Sequence, residues 1–323
     1  MKFVEIAALD FDLEKTLNSG QVFHWNKIDK GFCGTIGSLP VYLEQYGNIL
    51  KVRIAAGDCF KQSIAEGDGG EEDDTIGAVA RYFALDHPLA QIRASFPHDE
   101  VMNAASEFCS GLRIIRQPKW ECLATFICSS MKQVAHIRQI SHALRERFGE
   151  ADKIDNHVLY TFPSAERSAR SSEKELRECA LGYRAKNLLA TARLVANGDV
   201  DLAQMSALSD VDLRTQLCAL PGVGAKVANC VMLFAYERLR AFPIDVWIER
   251  ALREKYFAQK RKVTAQRLRD FAATYFGENG GYAQQYLFHH ARTAKANGGR
   301  RAVGARSEAR QRVPLHDKRS RVT

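Results

Sequence analysis

The stretch from Leu220 to Val246 holds a lysine and an aspartate, each at the start of a helix predicted from apolar spacing. Lys226 lies in the first turn of its helix, where the positive end of the helix dipole disfavours a charged ammonium. A neutral amine is a nucleophile. Asp245 is expected to cap a helix from Val246 to Phe257, and its carboxylate can stay ionised there beside a developing positive charge. The pair suits displacement of a base from a sugar carbon, with a Schiff base then forming on the opened sugar.

A helix-hairpin-helix positions the lysine. Residues 210–219 and the segment after Gly224 both carry apolar residues at helical spacing, and Pro221, Gly222 and Gly224 form the turn between them. Glycines let the backbone approach a ligand closely, and the first amides of the second helix have no partners within the helix. The turn is therefore predicted to bind a nucleic-acid phosphate without reading the base sequence.

Taken singly, these features have ordinary structural interpretations. A glycine turn is usually a plain connection between two helices, a lysine near a helix end is mostly solvated, and an aspartate after Pro-Ile is usually only a helix cap. The order of turn, lysine and aspartate in one stretch is what favours catalysis.

The composition predicts a globular protein that can bury a large core, since 46% of its 323 residues are hydrophobic. We expect an intracellular protein, in the nucleoid or cytoplasm of a bacterium or the nucleus of a eukaryote. The reason is that no segment approaches the ~20 apolar residues of a membrane helix and the N-terminus lacks a signal pattern. The eight cysteines form no C-x-x-C pair, so no zinc, iron–sulfur cluster or other cofactor is expected.

The formal charge of +8 is concentrated near the end of the chain. From Arg292 onward there are ten Lys or Arg and two acidic residues, whereas the rest of the chain holds 36 of each kind. A DNA-binding face must therefore come from local charge asymmetry. The tail is predicted to be disordered; it either adds salt-sensitive DNA affinity, serves as a localisation signal, or is inert.

Short runs rich in β-branched and aromatic residues predict a small antiparallel sheet near the N-terminus, and helical spacing dominates after residue 75. Residues 66–74, which are packed with acids, and residues 154–163 are predicted as loops. The expected fold is α+β: an N-terminal antiparallel sheet domain followed by two mainly helical subdomains that contain the helix-hairpin-helix. The predicted divisions are residues 1–112, residues 113–293, and a basic tail of residues 294–323.

The order of hairpin, lysine and aspartate resembles the catalytic core of the HhH-GPD superfamily of DNA glycosylases. Other segments resemble one branch, the 8-oxoguanine DNA glycosylase/lyases of the eukaryotic type. These segments are SGQVFHW (19–25), RIIRQPKWECLATFICSS (113–130), ALGYRAK (180–186) and YAQQYLF (282–288). The resemblance implies a monomer that flips 8-oxoguanine out of double-stranded DNA and excises it. Lys226 would attack C1′ and Asp245 would be its electrostatic partner, with β-elimination following.

The resemblance also implies a base-binding pocket. The damaged base would lie between Cys230 and Phe288, and Gln284 would bind its Watson–Crick edge. Gly20 would offer its carbonyl to N7–H, a proton that 8-oxoguanine has and guanine lacks. With guanine in the pocket this carbonyl would stay unpaired, and an unpaired buried acceptor costs roughly 1–3 kcal/mol of binding free energy. Without the resemblance, the cysteine and phenylalanine would be ordinary core residues and the glutamine a surface amide.

Five further residues are implied to contact DNA. Tyr183 would stack into the gap left by the flipped base, and Arg184 would reach the orphaned cytosine. Met131 stands where the family often has the asparagine that fills the vacated space, and His136 stands where it has an arginine that reads cytosine. Trp247 replaces a phosphate-binding histidine of the animal-type pattern. Since histidine has less reach and no guanidinium fork, we predict relaxed discrimination of the opposite base.

Two other functions stay open. The enzyme could prefer another oxidised purine, such as a formamidopyrimidine. Alternatively, the chain could be a non-catalytic module that binds damaged DNA through the hairpin, although the intact Lys226 and Asp245 argue against that.

Overall fold

A computed structural model describes residues 3–54, 71–258 and 263–293. An antiparallel sheet opens the fold and has the strand order β1-β5-β4-β3-β2. The predicted N-terminal sheet and the α+β class are thereby confirmed. Its strands are β1 (Val4–Ala7), β2 (Asn26–Ile28), β3 (Gly31–Ile36), β4 (Leu39–Tyr46) and β5 (Ile49–Ile54).

Helices make up most of the chain after the sheet. They are α1 (Leu13–Asn18), α2 (Glu71–Tyr82), α3 (Leu89–Ala94), α4 (Glu100–Phe108), α5 (Lys119–Ser129), α6 (Val134–Phe148), α7 (Ala165–Ala169), α8 (Glu173–Leu176), α9 (Arg184–Ala196), α10 (Asp210–Ala219), α11 (Ala225–Ala235), α12 (Val246–Tyr256), α13 (Ala265–Tyr275) and α14 (280–293). In this described part of the chain, no helix has the length and apolar character to cross a membrane.

Three local predictions need correction. Helix α1 lies inside the segment predicted as strand, and Asp12 caps it by accepting from the Lys15 amide. Residues 71–74 begin α2, so that part of the acidic segment is not a loop; residues 66–70 lie outside the described residues. The loop predicted at 154–163 is largely a hairpin of β6 (Ala151–Ile154) and β7 (His157–Tyr160). Its two-residue turn is possible because Asp155 adopts a φ of +51°, a conformation that Asp tolerates.

The buried apolar residues form two main clusters. The smaller one lies between the sheet and α2 and includes Leu43, Val52 and Phe83. The larger one joins the helices of the rest of the chain and also takes in α3 and α4, for example through Leu89 and Met102. The division at residue 112 stays a prediction.

An extended segment at residues 113–117 ties the two clusters together. Gln21 receives a hydrogen bond from the Ile115 amide (2.8 Å), and its own amide donates to the Arg113 carbonyl (2.8 Å). Arg113 is itself buried and donates to four backbone carbonyls, at Leu9, Asp10, Ala84 and His87. Since buried polar groups are costly unless they are bonded, this network fixes the start of the chain against the helices.

Candidate active site

Lys226 lies in the first turn of α11, as predicted, and its amine is partly buried. Its Nζ donates to the Ser129 hydroxyl at 3.3 Å and lies 5.0 Å from the centre of the Phe126 ring. Ser129 is 4% exposed and donates its own proton to the Phe126 carbonyl, so its oxygen is free to accept from the lysine. The end of α5 therefore fixes the direction of the lysine side chain. Ser129 is not among the residues predicted for the site.

Asp245 caps α12, as predicted, and the helix ends at Tyr256, one residue earlier than expected. The carboxylate accepts from the Ile248 amide at 2.9 Å. Burial raises the pKa of Asp245, while the Ile248 amide and the nearby Lys226 ammonium oppose that rise. The structure thus brings the predicted lysine and aspartate into one electrostatic site.

Cys230 follows Lys226 by one helical turn and is 3% exposed. Burial raises the pKa of its thiol, and Lys226 opposes that rise, so the thiol stays neutral at neutral pH. Gln284 on α14 is 4% exposed, which makes it a buried amide rather than a surface one. Its Oε1 has no hydrogen-bond partner among the described residues. An unpaired buried acceptor costs about 1–3 kcal/mol, so this oxygen is suited to a ligand that donates a proton.

Gly20 and Phe288 meet, although one lies near the start of the described chain and the other near its end. Gly20 has a φ of +89°, in the left-handed region that favours glycine. A Cβ at Gly20 would lie 3.0 Å from Phe288 Cε1 and 3.3 Å from Arg292 Nη1. Any larger residue at position 20 would push against both side chains.

The glycine hairpin between α10 and α11 confirms the predicted helix-hairpin-helix. Gly222 has a φ of +81°, and a Cβ there would lie 2.8 Å from the Asn187 Cβ on α9. Gly224 is the N-cap of α11 and supplies no side-chain cap, and a Cβ there would meet no atom within 4 Å. The two glycines therefore differ: Gly222 is needed for packing, whereas Gly224 leaves the first amides of α11 open to a ligand.

Exposed side chains project from two neighbouring loops. Met131, between α5 and α6, is 94% exposed and has a φ of +53°, which is strained for a residue with a Cβ. Tyr183, just before α9, is 58% exposed. His136 is also exposed, on the first turn of α6. A large exposed apolar side chain held in a strained conformation suits insertion into a partner.

Arg184 does not project from the surface, because its side chain is 5% exposed. Its Nε donates to the Ser130 carbonyl at 2.8 Å and its Nη1 to the Leu181 carbonyl at 3.3 Å. The guanidinium thus joins the Met131 loop to the turn that carries Tyr183. Its predicted contact with an orphaned cytosine stays a prediction. So does the DNA contact of Trp247, which lies partly buried in the first turn of α12.

Two arginines that were not predicted lie beside this site. Arg138 on α6 and Arg292 on α14 both donate to Asn18. Arg292 is the first of the ten basic residues counted toward the charge near the end of the chain, but it follows Phe288 by four residues on α14. That spacing places both side chains on one face of the helix, so it could have indicated from the sequence that Arg292 lies beside Phe288. In the described ranges, no group of three or more His, Cys, Asp or Glu could hold a metal ion.

Comparison with known proteins covers nearly all of the described chain. Residues 3–123 match the N-terminal domain of 8-oxoguanine DNA glycosylase, and residues 124–273 match the HhH-GPD superfamily of base excision DNA repair proteins. The chain is 30% identical over 274 residues to the N-glycosylase/DNA lyase of Saccharomyces cerevisiae, which covers 80% of this chain and 71% of that protein.

An archaeal relative and a solved structure extend the similarity. A probable N-glycosylase/DNA lyase of Methanothermobacter thermautotrophicus is 27% identical over 309 residues, which cover 88% of this chain and 94% of that protein. The solved structure is that of the Clostridium acetobutylicum 8-oxoguanine glycosylase/lyase in complex with double-stranded DNA containing cytosine opposite 8-oxoG. It superposes with a TM-score of 0.78 and 27% identity, over 91% of this chain and 99% of that one.

Proposed function

This chain belongs to the 8-oxoguanine DNA glycosylase family of the HhH-GPD superfamily, and from that premise we propose that it excises 8-oxoguanine from duplex DNA as a bifunctional glycosylase/AP lyase. It would act at DNA as a monomer. The observation that carries the proposal is the pair of Lys226 and Asp245, each at the start of a helix and within one electrostatic site.

The pair accounts for both chemical steps. The Lys226 amine attacks C1′ as the bond to N9 of the base breaks, and the departing base takes up a proton. The Asp245 carboxylate stabilises the positive charge that develops on the sugar. Opening of the sugar gives a Schiff base between Lys226 and C1′. Loss of a proton from C2′ then expels the 3′ phosphate, which cleaves the strand.

The buried groups around Lys226 form the proposed base pocket. Cys230 and Phe288 would hold the two faces of the flipped purine. The unpaired Gln284 Oε1 would accept from the N–H donors of the Watson–Crick edge. The Gly20 carbonyl would accept from N7–H, so that the undamaged base would leave it facing another acceptor. Flipping is required because C1′ is out of reach inside a stacked duplex.

The hairpin and the exposed loops would hold the DNA. The open first amides of α11, next to Gly222 and Gly224, would bind a backbone phosphate. Met131 and Tyr183 would enter the space that the flipped nucleotide leaves. Trp247 would lie against the backbone beside Asp245.

Borohydride trapping tests the proposal. Wild type and Lys226→Gln are compared on a duplex with one 8-oxoguanine opposite cytosine, with Lys174→Gln as the control because Lys174 is an exposed lysine on α8. A covalent adduct with wild type and the control, but not with Lys226→Gln, is expected. Base release without an adduct would indicate a monofunctional enzyme. Neither release nor adduct would favour a binding module or another lesion, such as a formamidopyrimidine.

A further inference from the structure

Two arginines, Arg138 and Arg292, donate hydrogen bonds to Asn18 beside the proposed base pocket. Arg138 Nη2 donates to the Asn18 side-chain oxygen at 2.9 Å, and Arg292 Nη2 donates to the Asn18 carbonyl. Both guanidinium groups are partly buried. Burial lowers the pKa of Arg292, and the nearby charge of Arg138 lowers it further. The two charges are therefore close enough to repel each other.

Neither arginine has a carboxylate at ion-pairing distance among the described residues. Other partly buried arginines do, such as Arg116 with Asp86 and Glu237. Asp245 attracts Arg292 but forms no ion pair with it. A guanidinium has five N–H donors, and the bonds to Asn18 use few of them. Unpaired like charges that retain unused donors form a site that an anion would stabilise.

The position of Arg292 relates this site to the pocket. Its Nη1 lies 3.3 Å from where a Cβ of Gly20 would be, and its guanidinium carbon lies 5.4 Å from the centre of the Phe288 ring. His289, which is buried, adds no charge there. Burial lowers the pKa of His289 to about 4, helped by Arg292, so the ring is neutral at neutral pH and its Nδ1 can accept from Arg292 at 3.5 Å.

We propose that Arg138 and Arg292 form a binding site for one phosphodiester next to the flipped lesion nucleotide. This site deepens the proposed function and rests on it, because only a flipped nucleotide brings its own phosphate to the mouth of the pocket. A guanidinium fork matches two phosphate oxygens, and one diester charge would relieve the repulsion between the two arginines. A neutral base edge would not relieve it.

A specific pattern of DNA affinity follows. The two charges are partly buried at the pocket, so they would contribute little to binding of an undamaged duplex, whose nucleotides stay stacked. They would contribute strongly once a nucleotide is flipped. The pair would thus stabilise the flipped state rather than increase general attraction to DNA.

The experiment measures DNA affinity with Lys226→Gln protein, which binds without turnover, on three duplexes with 8-oxoguanine. One is natural, and the other two carry a single neutral methylphosphonate on the 5′ or the 3′ side of the lesion. Arg138→Gln and Arg292→Gln are added in turn. The control is Arg240→Gln, because Arg240 is exposed, pairs with Glu278 and lies beyond the far end of α11 from Lys226.

We expect each glutamine variant to weaken binding of the natural lesion duplex about tenfold, the effect of losing one charged hydrogen bond. Binding of an undamaged duplex should change less than about twofold, and Arg240→Gln should change neither. The Lys226→Gln protein that keeps both arginines should bind one of the two methylphosphonate duplexes about tenfold more weakly than the natural lesion duplex. On that duplex, Arg138→Gln and Arg292→Gln should not weaken DNA binding further, because the phosphate charge that the arginines would bind is already absent.

Equal losses on the natural duplex and on both methylphosphonate duplexes would overturn the proposal and assign the arginines to the base. Unchanged affinity in the variants would overturn it too. If the glutamine variants fail to fold, a Lys226→Gln protein that is insensitive to both methylphosphonates would still overturn the proposal, because it has no such site. Failure of the proposed catalysis is separate: wild type would then give no borohydride adduct, while the phosphate-dependent losses would persist in a protein that flips the nucleotide without excising it.

Discussion

Asp245 caps α12, but the burial of its carboxylate opposes the negative charge that the proposed reaction requires. As a helix cap it needs only an oxygen that accepts from the Ile248 amide, and asparagine would supply one equally well. The negative charge does not strengthen the cap enough to offset the cost of burying it, because the pKa of Asp245 is raised overall. Above that raised pKa, the folded protein holds a buried carboxylate that the unfolded chain would hydrate freely. In the proposed mechanism, this charge would stabilise the positive charge that develops on the sugar.

Asp245→Asn is therefore expected to raise the melting temperature at pH 7 while lowering single-turnover excision on the order of 100-fold. The gain in stability should vanish as the pH falls below the ordinary range for aspartic acid, where both folded and unfolded wild type are protonated. Thermal melts from pH 3 to pH 8 measure this. Asp12→Asn is the control, since Asp12 caps α1 but pairs with Lys15 at the surface, and it should give no gain. A loss of stability at pH 7 would contradict the argument.

Discrimination of the opposite base is predicted to depend on His136 and Arg184. Arg184, the remaining arginine predicted to reach cytosine, is bonded to the Ser130 and Leu181 carbonyls. We therefore expect comparable single-turnover excision of 8-oxoguanine opposite cytosine and opposite adenine. His136→Arg should restore a preference for cytosine, because it returns a long, forked donor. A strong cytosine preference in wild type would refute this prediction.

At the scale of elements, the hairpin between α10 and α11 shows what can be predicted from the sequence. The turn, Lys226 and the cap at Asp245 were all predicted because each depends on neighbours a few residues away. Ser129 and the pairing of Arg138 with Arg292 were not, because those contacts join helices that are distant in sequence. Likewise, the β6–β7 hairpin was missed because its two short strands carry a weak alternating pattern and depend on each other for pairing.

The two hairpin glycines give a matched pair of variants. Gly222→Ala should lower the free energy of unfolding by about 1–3 kcal/mol, because φ is positive and the new methyl would press on Asn187. Gly224→Ala should change it by less than about 0.5 kcal/mol, since the space there is open. It should instead weaken DNA binding, because a methyl hinders close approach of a phosphate. Urea denaturation and DNA titration separate the two effects, and equal destabilisation by both variants would contradict this assignment.

For the whole molecule, charge is distributed unevenly. Arg292 belongs to the folded body, in agreement with the predicted division at residue 293, so nine of the ten basic residues counted from Arg292 onward lie in the tail of residues 294–323. Deleting residues 294–323 is expected to weaken binding of undamaged DNA and to make its salt dependence shallower. Single-turnover excision at saturating protein should be unchanged, since the proposed site lies within the described residues. A fall in that rate would show that the tail contributes to the site itself.

The contacts of Asn18 and Ser19 with α14 join residues that are 274 and 266 positions apart. Gly20, which completes the proposed pocket, is held by the same contacts. During synthesis, the sheet and the helices α1 to α13 leave the ribosome before α14 does. A nascent chain therefore has its hairpin before it has a pocket, and the pocket would be completed only once α14 has been made and has docked against Asn18 and Ser19.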